Sequence, residues 1–145
     1  MVDGKRSSLV KPTLETPFHI DFSWWSQNDR EWKVYLRSLL AAEDQEKYAD
    51  LIDGDVMVDW VDPETGEVQR VDGLQHVLIT HTAQQEGFLQ EHTAIVEAIF
   101  RLFLINGNKP MSVNEIASIL GREPTPILRT LSGARIYRGI RPIIE

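Results

Sequence analysis

The sequence predicts an α+β fold, mainly helical, in which a compact helical module at the C-terminal end follows a helical and β-hairpin extension. Three observations carry this prediction. Residues 93–105 (TAIVEAIFRLFLI) form a helical run that is apolar on almost every side. Residues 56–61 and 68–71 instead alternate at period two around a Pro- and Gly-bearing turn. After residue 105, Ser112, Glu115, Gly121 and Pro126 punctuate two short helices, as caps and helix ends do.

The apolar helix is the element that the rest must accommodate. Only Thr93, Glu97 and Arg101 are polar in it, and Glu97 leads Arg101 by four residues, so the two pair along one exposed edge. A helix of this kind needs cover on most sides, from the rest of the fold or from a second copy of the chain. A homodimer is expected on that ground.

The chain divides into a mobile arm (1–16), an acidic helix and hairpin extension (17–87) and the C-terminal module (88–145). The arm is polar and without period. From Phe18 to Leu40 the pattern is helical, with Trp25, Trp32, Leu36 and Leu39 on one stripe and Ser23 or Asn28 as the cap. Tryptophans at helical spacing point to core ahead of base stacking. Residues 41–53 read as a short, exposed acidic helix. In the hairpin, Val56, Val58 and Trp60 face one way and Met57 and Val61 the other. Pro63 presets φ in the turn, and Gly66 takes its left-handed position. Residues 73–85 form a helix with Leu74, Val77, Leu78 and His81 on one face, and Gly87 follows as its C′ or interhelix-turn residue.

Composition narrows the function. The net charge of −7 is unevenly spread: residues 1–100 carry 8 Lys/Arg against 19 Asp/Glu, residues 101–145 carry 7 against 3. Any anion-binding surface therefore belongs to the C-terminal third, although arginines that merely solvate an exposed strand produce the same imbalance. There is no cysteine, hence no disulfide framework or thiolate metal site. No signal peptide or membrane span is evident, and a reducing cytoplasm is the expected compartment. His81 and His92 fall on apolar helical faces and His76 opposite His81, without metal-ligand spacing; burial against a backbone carbonyl is the expected state, and no cofactor is expected. No nucleophile elbow or phosphate-binding loop occurs, and the carboxylates of residues 43–72 spread as a solvated face, so no enzyme activity is expected.

The C-terminal module is the most specific part. Ser112 and Glu115 form a capping box, and Ile116, Ala117 and Leu120 are the packing residues of the helix that Gly121 ends. Thr125 and Pro126 suit an N-cap and first-turn proline. The run KPMSVNEIASILGREPTPILRTL (109–131) resembles the winged helix-turn-helix superfamily: a short strand, E-I-A-x-x-L-G, a turn with proline, then I-x-R-x-L on the second helix. The resemblance covers about a third of the chain. It implies a winged helix-turn-helix module whose second helix enters the major groove of duplex DNA. By position it implies Thr125, Arg129 and Ser132 facing bases or phosphates, Ser112 and Asn114 near the backbone, and Arg122, Arg135, Arg138 and Arg141 neutralising phosphates. Residues 134–144 would form the wing, but so few residues mean either a truncated wing or a strand that pairs elsewhere, and Leu128 stands where DNA readers often place a polar residue. The functions implied are a DNA-binding transcriptional regulator or, as the alternative, a winged helix that docks protein in the transcription machinery.

Overall fold

The computed structural model describes residues 11–54 and 56–144. Most of the expected mobile arm thus lies outside the described residues. In chain order the elements are β1 (Pro17–Ile20), α1 (Phe22–Asn28), α2 (Trp32–Ser38), α3 (Ala42–Lys47), α4 (Ala49–Ile52), β2 (Met57–Val61), β3 (Val68–Asp72), α5 (Gly73–Thr80), a 3-10 turn (Thr82–Gln84), α6 (Ile95–Ile105), β4 (Met111–Ser112), α7 (Val113–Leu120), α8 (Pro124–Leu131) and β5 (Ile140–Pro142). The class is α+β, with helices around two small antiparallel sheets.

The first sheet has the order β4–β1–β5. Phe18 lies between Met111 of β4 and Pro142 of β5, and Ile20 pairs with Ile140. The middle strand thus comes from the segment expected to be helical extension, and the N- and C-terminal portions share one core. Phe18 and Ile20 alternate inward and are buried, whereas Pro17 is exposed and His19 partly so. Four residues of period two inside a helical-looking stretch are too short a signal to stand out from it.

Between residues 18 and 40 the single expected helix is two helices, and neither Ser23 nor Asn28 caps the first. Asp21 does, its Oδ1 accepting the Trp24 amide at 3.0 Å. Asp29, extended at φ −143°, breaks the run. Trp25 is fully buried, with its ring edge-on to Phe100 at 5.4 Å, while Trp24 and Trp32 are half-buried.

The apolar helix α6 begins at Ile95, two residues later than its sequence pattern suggests, and buries Ile99, Phe100, Phe103 and Leu104 completely. Its cover comes from within the chain: β1 and α5 pack on it, and Trp25 lies against Phe100. A second copy of the chain is therefore not needed to shield this helix. Arg101 is 3.3 Å from Glu97, the expected pair. It is also drawn inward, where its Nη1 donates to the Phe88 carbonyl at 2.7 Å.

Residues 41–53 are less exposed than their charge suggests. Asp44 is 6% exposed and accepts from Thr82 Oγ1 at 2.6 Å and Gln85 Nε2 at 2.9 Å, which ties α3 to the 3-10 turn. The hairpin forms as expected, with Val61 opposite Val68 and Gly66 at φ +76°. The helix from Gly73 stops at Thr80, because His81 departs from helical geometry at φ −120°. The two imidazoles lie near each other: the His76 and His81 rings are 6.5 Å apart, edge to face, and not on opposite sides. His81 stacks on Tyr48 at 4.3 Å. His92 is exposed in a turn, not on an apolar face.

Candidate functional site

The α7–α8 pair is built by local chemistry. The Ser112 hydroxyl accepts the Glu115 amide at 3.2 Å, and the Glu115 carboxylate accepts the Ser112 amide at 3.0 Å, so the capping box is complete. Gly121 closes α7 at φ +66°, a conformation that costs other L-residues a Cβ clash. Val113, Ile116 and Ala117 bury one side of α7, and Ile127 and Leu131 bury one side of α8. Leu128 also packs towards the core, so it is not presented on an outer reading face.

The start of α8 differs from its expected form. The helix begins at Pro124 with Glu123 before it, so Thr125 is inside the first turn and not its cap. Both Pro124 and Pro126 lack an N–H. Of the first three positions only Thr125 therefore offers an amide to an anion, which weakens the helix end as a phosphate cradle.

The residues singled out by the sequence separate into three groups. Ser112 is 7% exposed and Asn114 donates to Glu15 Oε1 at 2.5 Å, so both are engaged in holding the fold. Arg122, Thr125, Arg129 and Ser132 are exposed in the α7–α8 turn, on α8 and at its end; the Ser132 hydroxyl donates back to the Leu128 carbonyl at 2.6 Å. Arg122 and Arg129 make no ion pair among the described residues. Arg135, Arg138 and Arg141 lie beyond α8, and each covers an aromatic ring: Tyr137 at 4.9 Å, Tyr35 at 3.9 Å and Trp24 at 5.2 Å.

The expected wing is reduced. Only Ile140–Pro142 is strand, and it pairs with β1, because Arg138 and Gly139 in succession have positive φ (+52° and +73°) and turn the chain. Gly139 is also pressed against α1: a Cβ there would lie 2.8 Å from Trp25 Cβ. Arg141 is held by Asp21 at 3.0 Å, so its charge is matched internally. Arg135 and Arg138 line a small pocket of 410 Å³ together with Asp29 and Glu97, a wall of mixed sign. Sequence reasoning missed the partners Asp21 and Tyr35, since pairings about a hundred residues apart leave no local pattern. Burial, with Glu97 adding to it, raises the Tyr35 phenol above its ordinary value despite the nearby arginines.

A cleft of 1110 Å³ lies elsewhere, between the hairpin, α5 and the start of α1, and none of the C-terminal arginines lines it. No helix among the described residues is long and apolar enough to cross a membrane. Comparison with family models, curated proteins and solved structures found no match.

Proposed function

We propose that this chain is a non-enzymatic DNA-binding protein, a transcriptional regulator that meets duplex DNA through a winged-helix-like α7–α8 pair. The observation that carries the reading is the state of Arg122 and Arg129. In a chain with 22 acidic and 15 basic residues, both stay exposed and form no ion pair with any described carboxylate, one at the interhelix turn and one on α8. Guanidinium groups in that state on a helix pair are free to neutralise phosphates or to read a base edge. Arg135 and Arg138 are exposed as well but share their surroundings with Asp29 and Glu97, and the Asp21 contact matches the charge of Arg141, so Arg122 and Arg129 are the groups on which this reading rests. Two copies in a homodimer would meet half-sites about one helical turn apart.

The second reading, a protein-docking winged helix, draws on Ile119, which is 59% exposed on α7, and on the two prolines that strip amides from α8. Titration of labelled duplex DNA by fluorescence anisotropy separates the two. Under the first reading, affinity falls steeply as salt rises from about 50 to 200 mM. No retention at the lower salt overturns it and leaves docking through Ile119.

A further inference from the structure

The 1110 Å³ cleft is bounded on one side by the hairpin and α5, and on the other by the start of α1 and the turn at residues 107–110. A space of that size is slightly above the range of about 300–1,000 Å³ usual for small-molecule sites, with room for a drug-sized ligand. Trp32, Trp60 and Ile79 supply apolar wall, and both indoles are only half-buried, so each has ring surface left to cover. The charges along the cleft balance: Lys33, Arg70 and Lys109 stand against Asp21, Asp62 and Asp72. Lys33 is 2.9 Å from Asp72, and Lys109 pairs with Glu64 on the rim. A charged ligand thus gains no net field there. One polar group in the wall is unsatisfied: Nδ1 of His76 is buried with no hydrogen-bond partner.

We propose that this cleft binds an uncharged, planar aromatic small molecule that covers Trp60 and Trp32 and gives one N–H or O–H donor to His76. Aromatic faces reward a flat π-system, balanced charge leaves the desolvation of an ion without a net attraction to offset it, and an orphaned imidazole nitrogen asks for a donor. His76 lines the cleft and is partly exposed, and binding requires its ring to turn about the Cβ–Cγ bond so that Nδ1 faces the ligand. Burial also lowers the pKa of His76, which keeps the ring neutral and able to accept. The site is independent of the DNA reading, since it shares no residue with the α7–α8 surface.

The test uses N-phenyl-1-naphthylamine, a neutral aromatic amine that fluoresces when shielded from water, against the full chain. The expected result is saturable binding of one probe per chain with quenching of Trp emission. The related 8-anilinonaphthalene-1-sulfonate, which adds a negative charge to the same skeleton, is expected to bind about tenfold more weakly, a difference of about 1.4 kcal/mol. Ile79→Trp, which adds bulk to the apolar wall, weakens binding by at least about tenfold, and His76→Phe weakens it by about tenfold, with unchanged far-UV circular dichroism in both. Val61→Thr with Val68→Thr, on the exposed hairpin face, leaves it unchanged. Absent or non-saturable binding, equal binding in the Ile79→Trp protein, or loss in the hairpin-face variant overturns the proposal.

Discussion

The side-chain amide of Asn108 forms two hydrogen bonds with the backbone of Ile20, accepting from its N–H and donating to its carbonyl, both at 2.9 Å. It does there what a strand residue would do. β4 is only two residues long and pairs with β1 as far as Phe18, so beyond that point the edge of β1 has no strand beside it. Asn108 extends the ladder from a turn, which it enters at φ +62°. Asparagine tolerates that left-handed conformation better than most residues.

Asn108→Ala removes both bonds and places a Cβ-bearing residue without local compensation at positive φ. The expected cost is about 2–3 kcal/mol, or roughly 5–10 °C in Tm for a chain of this size. Asn108→Gly removes the same bonds but keeps the backbone fit, and should cost less. Urea denaturation followed by circular dichroism gives the order; an alanine variant as stable as the parent would show that β1 does not need this edge.

Gly73 packs against α4 so closely that an added Cβ would lie 2.0 Å from the Leu51 carbonyl oxygen. A backbone atom cannot rotate away. Gly73→Ala should destabilise by more than about 3 kcal/mol, by forced displacement of packed elements. Gly87→Ala is the contrast: φ is +85° there but nothing lies within 4 Å of the added Cβ, so only the backbone penalty of about 1–2 kcal/mol applies. Equal losses of stability in the two variants, measured by urea denaturation, would contradict the close α4–α5 approach.

Asp44 is the buried carboxylate of α3, and the side chains of Thr82 and Gln85 both donate to it. Asp44→Ala leaves the buried Thr82 hydroxyl without its acceptor and should cost about 2–3 kcal/mol. In a double-mutant cycle, Asp44→Ala combined with Thr82→Val should cost less than the sum of the single changes by about 1 kcal/mol. Strict additivity would mean that the hydrogen bond contributes nothing.

Two histidines set an acid limit. Burial lowers the pKa of both His19 and His76, with Arg141 adding to the effect at His19 against Asp21, and His81 adding to it at His76. As pH falls through the ordinary histidine value of about 6.5, the unfolded chain takes up protons that the folded chain resists. Stability is therefore fully present above that value and falls as pH drops towards the lowered folded values. His19→Gln with His76→Gln should flatten this part of the stability–pH curve, read from urea midpoints. At the alkaline end the raised Tyr35 pKa acts in the opposite sense, since the unfolded phenol ionises first, and Tyr35→Phe should remove that slope.

For the DNA reading, Arg122→Ala with Arg129→Ala should weaken duplex binding and reduce the slope of log affinity against log salt by about 2, one for each phosphate no longer neutralised. Arg141→Ala should change the slope little, because Asp21 already matches that charge. A slope that responds to Arg141 and not to the first two would move the DNA-facing surface to the sheet.

The sequence is most legible where the signal is local. The capping box at Ser112 and Glu115, the left-handed Gly121, the Asp62–Gly66 turn and the apolar stripe of α6 each depend on residues within a few positions of one another. The stop at His81 and the break at Asp29 carry no such mark. Thr125 reads as a cap because two prolines two residues apart offer two possible helix starts, and the chain takes the earlier one, at Pro124.

By itself, the sequence determined the class, the hairpin, the apolar central helix and the concentration of arginine in the C-terminal third, because caps, turns, period and charge are properties of neighbours in the chain. Only the tertiary structure decided that β1 lies between β4 and β5, that Asp21 claims Arg141, and that Tyr35 lies under Arg138. It also decided that an aromatic cleft stands apart from those arginines. Pairings across about a hundred residues are selected by the burial of Phe18, Ile20 and Trp25 in a common core, a global sum of interactions to which no short stretch is sensitive.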